Sequence, residues 1–314
     1  MRGDGLPRRL FIRDIGLAAC GLLAGARPTR AGTHEEKPMV HLATNQYPWM
    51  TFCQRDNRPF ALDAALSDIA ASGLNGLEPI VDQPKQVADL APLLTKSGLE
   101  VRSLYVNSTL HLEDAAEKSI ENVLAVAGEA KRVGTRIIVT NPNPIRWGGP
   151  ESKDDTQLTT QAAALNRLGE RLAAVGLTLA YHNHDAEMRH AAREFHHMMV
   201  GTDPKQVTLC FDAHWIFRGA GNSAVAVFDI LTLYGSRITE LHLRQSARGT
   251  WTETFGEGDI DYPAVMQHLL RIGVKPHLVL EQAVERDTPK TLDAIEAHRR
   301  GAQYARRVFA GLAS

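Results

Sequence analysis

The stretch Gly176-Leu177-Thr178-Leu179-Ala180-Tyr181-His182-Asn183-His184-Asp185 decides the fold. A glycine ends one segment, a mostly apolar run of strand length follows, and the run closes on a cluster of polar side chains. The glycine stands where a helix C-terminus needs a residue with positive φ. Near-continuous apolarity, rather than alternation, marks a parallel strand covered on its outer face by helices. The same unit recurs along the chain. Strands are expected at Val40–Thr44, Gly76–Ile80, Val101–Val106, Arg136–Thr140, Leu177–His182, Val207–Asp212, Ile238–His242 and His277–Glu281.

Between these runs lie helical patterns such as Leu62-Ala65-Leu66-Ile69-Ala70 and Ile120-Val123-Leu124-Ala127, at the i, i+3, i+4, i+7 spacing of an amphipathic helix. Gly73, Gly98, Gly134, Gly176, Gly235 and Gly273 stop helices just ahead of the next strand. Eight strand-helix units predict a single closed (β/α)8 barrel, an α/β fold. The rival is an open doubly wound sheet, which would carry a glycine-rich phosphate loop after its first strand. Here Val40–Asn45 runs instead into Gln46-Tyr47-Pro48-Trp49.

The first 31 residues stand apart from this repeat. Arg8-Arg9 precede an apolar stretch from Ile15 to Ala26 and a small-residue exit at Thr29-Arg30-Ala31. That order predicts a cleaved twin-arginine signal peptide over 1–31, the Tat export machinery as partner, and a periplasmic mature chain from 32 to 314. The apolar stretch is too short to span the roughly 30 Å hydrocarbon core. Leu17-Ala18-Ala19-Cys20 also has the form of a lipoprotein cleavage box, but Arg13 and Asp14 crowd its upstream side. The mature chain keeps 29 basic and 34 acidic side chains, a net charge of −5, so no nucleic-acid partner is expected. Cys53 and Cys210 are its two cysteines, and Cys210 sits in an apolar strand as a small core residue, so no disulfide framework is implied.

In a barrel, reactive side chains gather where strands end at the C-terminal mouth. The second to fourth strands deliver Glu78, Asn107 and Asn141 there; the fifth delivers His182, Asn183, His184 and Asp185. The sixth brings Asp212 and His214, the seventh His242 and Arg244, and the eighth Glu281. Four consecutive strands thus end in His182, Asp212, His242 and Glu281. Imidazoles and carboxylates at one level of one rim predict a divalent cation, Mn²⁺, Co²⁺, Zn²⁺ or Mg²⁺, with no thiolate on offer.

Gly76-Leu77-Glu78-Pro79, Tyr181-His182-Asn183-His184-Asp185, Phe211-Asp212-Ala213-His214-Trp215, His242-Leu243-Arg244-Gln245, Gly256-Glu257-Gly258-Asp259-Ile260-Asp261 and Leu280-Glu281-Gln282 follow in order. In these motifs the chain resembles the xylose isomerase-like TIM barrels, the sugar phosphate isomerases and epimerases, from Val40 to the last helix. The resemblance implies metal ligands at His182, Asp212, His242 and Glu281. Many family members carry Glu at the position of His182, and Lys or Asp is common after the strand-seven His, where this chain has Arg244 and Gln245. The two-glutamate proton relay is therefore not expected in its usual form, and His184 is the candidate compensating acid/base.

The resulting expectation is an exported, metal-dependent isomerase or epimerase that removes a proton next to a carbonyl of a sugar or polyol. His184 would act as base with Glu281 or Glu78 as partner acid, since a base of matched pKa must reach the carbon-bound proton. Arg244, His214, Asn141 and Trp215 would bind substrate, with Tyr47, Trp49 and Trp251 as further stacking faces or simple packing. A lyase or dehydratase acting on a keto-sugar, keto-glycoside or inositol-like polyol is the alternative, because the same proton removal sets up loss of a β-substituent. A non-catalytic sugar-binding protein and an abasic-site endonuclease of the same fold are the readings from other classes. Glu257 is expected to do no chemistry, Asp261 to cap the next helix, and His196 and His197 to lie on the surface. The chain is expected to be a monomer or homodimer.

Overall fold

A computed structural model describes residues 39–313. The twin-arginine pair, the expected signal peptide and the whole of 1–31 lie outside the described residues. Eight parallel strands follow in chain order: β1 (Leu42–Asn45), β2 (Gly76–Glu78), β3 (Ser103–Tyr105), β4 (Ile137–Thr140), β5 (Thr178–His182), β6 (Val207–Asp212), β7 (Ile238–Leu243) and β8 (His277–Leu280). They pair in the order β2-β1-β8-β7-β6-β5-β4-β3. The remaining seam, between β2 and β3, is joined by the isolated bridges Gly76–Glu100 and Ile80–Tyr105. All eight expected strands are present, most of them shorter than predicted, in one nearly closed α/β barrel.

Helices cover the outside because each carries one apolar face. In Leu62–Ala71 the residues Ala65, Leu66 and Ile69 are buried, and in Glu113–Ala130 Ile120, Val123 and Ala127 are. Gly73, Gly98, Gly134, Gly176 and Gly273 take the positive φ that the helix stops required. Gly235 does not. It opens a short 3-10 turn at φ −55°, and a Cβ there would stand 3.0 Å from the Ile272 side chain, so close packing rather than conformation calls for glycine.

Inside the barrel the two halves differ. Val139, Ala180 and Cys210 make a small apolar cluster with Tyr105 on the β3–β6 side. Facing them, Thr44, Glu78, Glu240 and His242 are wholly buried polar groups. Cys53 and Cys210 are both free thiols. No described helix is long and apolar enough to cross a membrane.

Candidate active site

Two strand-end residues are aimed by the helices that follow them. Asn45 caps the helix Gln46–Arg55, its Oδ1 accepting from the Tyr47 N–H at 2.7 Å. Asp212 caps Ala213–Gly219, its Oδ1 accepting from the Trp215 N–H at 2.8 Å. Capping satisfies one orphan helix donor and leaves the other carboxylate oxygen, Asp212 Oδ2, buried and without a hydrogen-bond partner. That oxygen lies 3.6 Å from His182 Nε2, whose ring nitrogens are also buried and unpartnered.

His242 completes the group from β7. Its Nδ1 is 3.1 Å from Glu281 Oε2, and its Nε2 is 3.1 Å from Glu78 Oε2 and 3.2 Å from Glu240 Oε1. One atom each from His182, Asp212, His242 and Glu281 falls within a 4.8 Å cluster. Two imidazoles, two carboxylates and orphaned donor atoms at its centre are what a divalent cation needs. The residues fit such an ion. Glu78, Glu240 and His242 form a second grouping that shares His242; it lies on the far ring nitrogen and orients the imidazole, as carboxylates behind metal-binding histidines do.

Arg244 locks the fourth residue of the cluster, Glu281. Its Nη2 stands 2.8 Å from Glu281 Oε2 and its Nε donates to the Glu281 carbonyl at 2.9 Å. Burial alone would raise the Glu281 carboxyl, but Arg244 and His242 outweigh it and bring it down to about 2. The guanidinium lies 4.9 Å from the centre of the Trp215 ring and 4.4 Å from that of Trp251, a packing that adds cation-π attraction where water is excluded.

Above these groups opens a cavity of about 440 Å³. Tyr47, Tyr105, Trp147, His184, Trp215 and Arg244 are among its walls. His184 sits between Trp147 and Trp215, ring centres 5.1 and 5.2 Å away, and 4.8 Å from His182. Burial pushes its pKa well below the usual imidazole value, with the His182 ring adding to the effect. The imidazole is thus held neutral, with Nδ1 buried and unpartnered among the described residues.

Several expected site residues lie elsewhere. Glu78 does not reach the cavity; Asn45 donates to its Oε2 at 2.6 Å and it stands behind His242, which takes it out of the partner-acid role. Asn141 is buried and spends its Nδ2 on the His182 carbonyl at 3.0 Å and on Glu187 at 3.3 Å; it positions β5 rather than substrate. His214 is sealed behind the mouth, its ring 6.0 Å from Trp251 and 5.8 Å from Phe217. Trp49 stacks on His298 at 4.1 Å and is packing. Tyr47, Asn107 and Trp215 do line the cavity. Glu257 is exposed, Asp261 caps Tyr262–Arg271 through the Ala264 N–H, and His196 is half-buried, bonded to the Tyr234 hydroxyl at 2.8 Å.

Other site residues escaped the sequence reading. Glu240, two residues before His242, was legible as a charged residue at an inward strand position. Glu187 accepts the His184 N–H at 2.7 Å and so holds the loop that carries the candidate base. Gln245 has a structural task. Its Nε2 donates to the Ile260 carbonyl at 2.9 Å, and Gln282 accepts the Gln245 N–H at 2.7 Å, so the pair fastens the Gly256–Asp261 loop beside the mouth.

The model of the xylose isomerase-like TIM barrel matches residues 66–308. The chain belongs to that family. Curated relatives of this xylose isomerase-like barrel include the inosose dehydratase of Clostridium botulinum, 25% identical over 271 residues, which span 77% of this chain and 88% of the relative. The inosose dehydratase of Bacillus licheniformis is 25% identical over 263 residues, 74% of this chain and 84% of the relative. Among solved structures, a sugar phosphate isomerase/epimerase from Parabacteroides distasonis superposes with TM-score 0.69 at 17% identity, covering 92% of this chain and all of the other. The D-allulose 3-epimerase of Methylomonas sp. gives 0.67 at 15%, covering 86% and 98%. At such identities the structures establish the shared fold.

Proposed function

We propose that this barrel is a metal-dependent enzyme that removes a proton next to a carbonyl of a sugar- or inositol-like ketone and expels a β-hydroxyl as water. The observation that carries this reading is His184, an imidazole free of other partners in a cavity whose one carboxylate at the metal cluster, Glu281, is already engaged by Arg244 and His242. Two-base epimerisation calls for a second free acid/base on the opposite face of the carbon. Asp185, the other carboxylate on the wall, faces Arg189 at 3.4 Å. Elimination needs one base and a donor for the departing hydroxyl. The Tyr105 phenol, which burial keeps protonated, can donate a hydrogen bond to the departing hydroxyl, which leaves as water with the proton that His184 removed from carbon.

His182, Asp212, His242 and Glu281 would hold the divalent cation, which when bound supplies Lewis-acid stabilisation of charge developing on the substrate oxygens. His184 takes the carbon-bound proton, Arg244 and the aromatic walls orient the ring, and Glu187 and Asn141 hold β5 and its loop in register. The inosose dehydratase relatives support the dehydratase reading. Isomerisation or epimerisation, in which the proton returns to the substrate, is the second reading, since it begins with the same proton removal at the same cavity.

The test is incubation of metal-loaded protein in deuterium oxide with a keto-inositol and with ketohexoses. A product lighter by one water supports elimination. An isomer of equal mass carrying deuterium establishes the second reading, and no exchange at any carbon defeats both in favour of simple sugar binding. We propose further, on Arg8-Arg9 and the residues after them, that the chain is a Tat-exported periplasmic protein; an Arg8→Lys, Arg9→Lys variant retained in the cytoplasm is the expected outcome.

A further inference from the structure

The opposite end of the barrel holds a second cavity, about 500 Å³, where the strands begin. Its wall includes His41, Arg102, Arg136, Lys275 and His277, with Leu312 giving apolar surface. His277 opens β8, which leads to Glu281 four residues later, so this cavity lies roughly 13 Å along the strand from the metal cluster. It is a separate place. From its chemistry we infer that the N-terminal mouth is an anion site, one that takes phosphate or a small phosphate monoester.

Charge is the first observation. Three cations, Arg102, Arg136 and Lys275, meet among the described residues one nearby carboxylate, Glu100, which Arg102 already engages at 2.6 Å and His41 Nε2 approaches only to 3.6 Å. Among the described residues, Arg136 and Lys275 show no side-chain hydrogen bond or ion pair. Basic residues on this face have an ordinary duty, since helix C-termini end here and cations complement their carbonyls. Arg306 performs it, donating to the Gly73 carbonyl at 2.7 Å, and Lys131 does so to the Val175 carbonyl at 2.6 Å. Among the described residues, Arg136 and Lys275 reach no such carbonyl.

Unmet hydrogen-bonding capacity is the second observation. Both ring nitrogens of His41 and Nε2 of His277 are buried without a hydrogen-bond partner, and the two rings lie 5.4 Å apart. A buried polar group left unpaired is costly, so a pair of them beside a cationic cavity points to a ligand that supplies acceptors. Burial, with the positive charge of Arg102 adding to it, holds His41 down to about 4, so this ring is neutral and offers a ligand an N–H donor rather than a charge. Guanidinium forks and an ammonium match the several oxygens of a phosphate group, and a cavity roomier than inorganic phosphate requires leaves space for an organic body.

The experiment is calorimetric titration of the mature, metal-loaded protein at low ionic strength, with inorganic phosphate in one arm and glycerol 2-phosphate in the other. One saturable site is expected, weakened at least tenfold in the Arg136→Gln, Lys275→Gln double variant and by a smaller factor in Arg136→Gln alone. Both side chains are exposed and, among the described residues, unpartnered, so the melting temperature should be unchanged. Tighter binding of the monoester assigns the ligand to that class; equal binding assigns it to phosphate itself. Absence of saturable binding below about 10 mM, an affinity weaker than roughly 3 kcal/mol, overturns the inference. So does binding that the double variant leaves intact, which would place the anion at the metal cluster instead.

Discussion

At the scale of single residues, the site is a set of atoms left over after local duties are met. Asp212 gives one oxygen to its helix cap and keeps the other for the cluster; His242 turns one nitrogen to Glu281 and the other to Glu78 and Glu240. Asp212→Ala and Glu281→Ala should therefore lose bound metal in elemental analysis together with turnover. His184→Ala should keep the metal and lose turnover, because its ring belongs to the cavity and not to the four-residue cluster; normal turnover would remove it from the mechanism. Glu78→Gln should weaken metal affinity on the order of 10- to 100-fold, measured by equilibrium dialysis, as expected for a carboxylate behind a metal-binding histidine. An unchanged affinity would leave Glu78 as packing alone.

At the scale of elements, the barrel depends on close approaches that a single methyl group can spoil. Gly169 lies inside the helix Asp155–Ala174, where glycine normally costs about 1 kcal/mol relative to alanine. Here a Cβ would meet the carbonyl group of Gln206 just before β6, with the carbonyl carbon 2.8 Å away. The clash outweighs the propensity gain, so Gly169→Ala should destabilise by about 1–3 kcal/mol in urea unfolding. A stabilised variant would show that the helix can shift away from β6 at little cost. The loop after β7 is held differently, by Asp259, which accepts from Ser246 Oγ at 2.7 Å and from the Arg248 and Gly249 N–H groups at 2.8 Å.

At the scale of the whole molecule, buried histidines link stability to pH. His298 is packed on Trp49, and burial holds its pKa down to about 4. The unfolded chain, with an imidazole pKa near 6.5, takes up that proton first as the pH falls. Stability from this residue is thus complete above about pH 6.5 and is lost progressively toward pH 4, by up to about 3 kcal/mol at roughly 1.4 kcal/mol per unit. Urea unfolding of wild type and His298→Gln across that range checks it; the variant should show the shallower slope, and parallel curves would put the dependence on other groups. The eight-unit repeat, the order of the strands and the identity of the residues at their ends were all legible in the sequence, because apolar runs, glycine stops and helical spacing are local properties. The convergence of His182, Asp212, His242 and Glu281 followed from that repeat once the sheet closed. What the sequence alone could not decide was which polar residues at one rim face the cavity. Glu78, Asn141 and His214 share the strand-end positions of the cluster residues, and only the packed structure turns them behind His242, under β5 and behind Trp251. Side-chain direction at a strand end depends on the twist of the closed sheet and on partners distant in sequence, such as Asn45 for Glu78 and Glu187 for Asn141, and no local pattern carries that information.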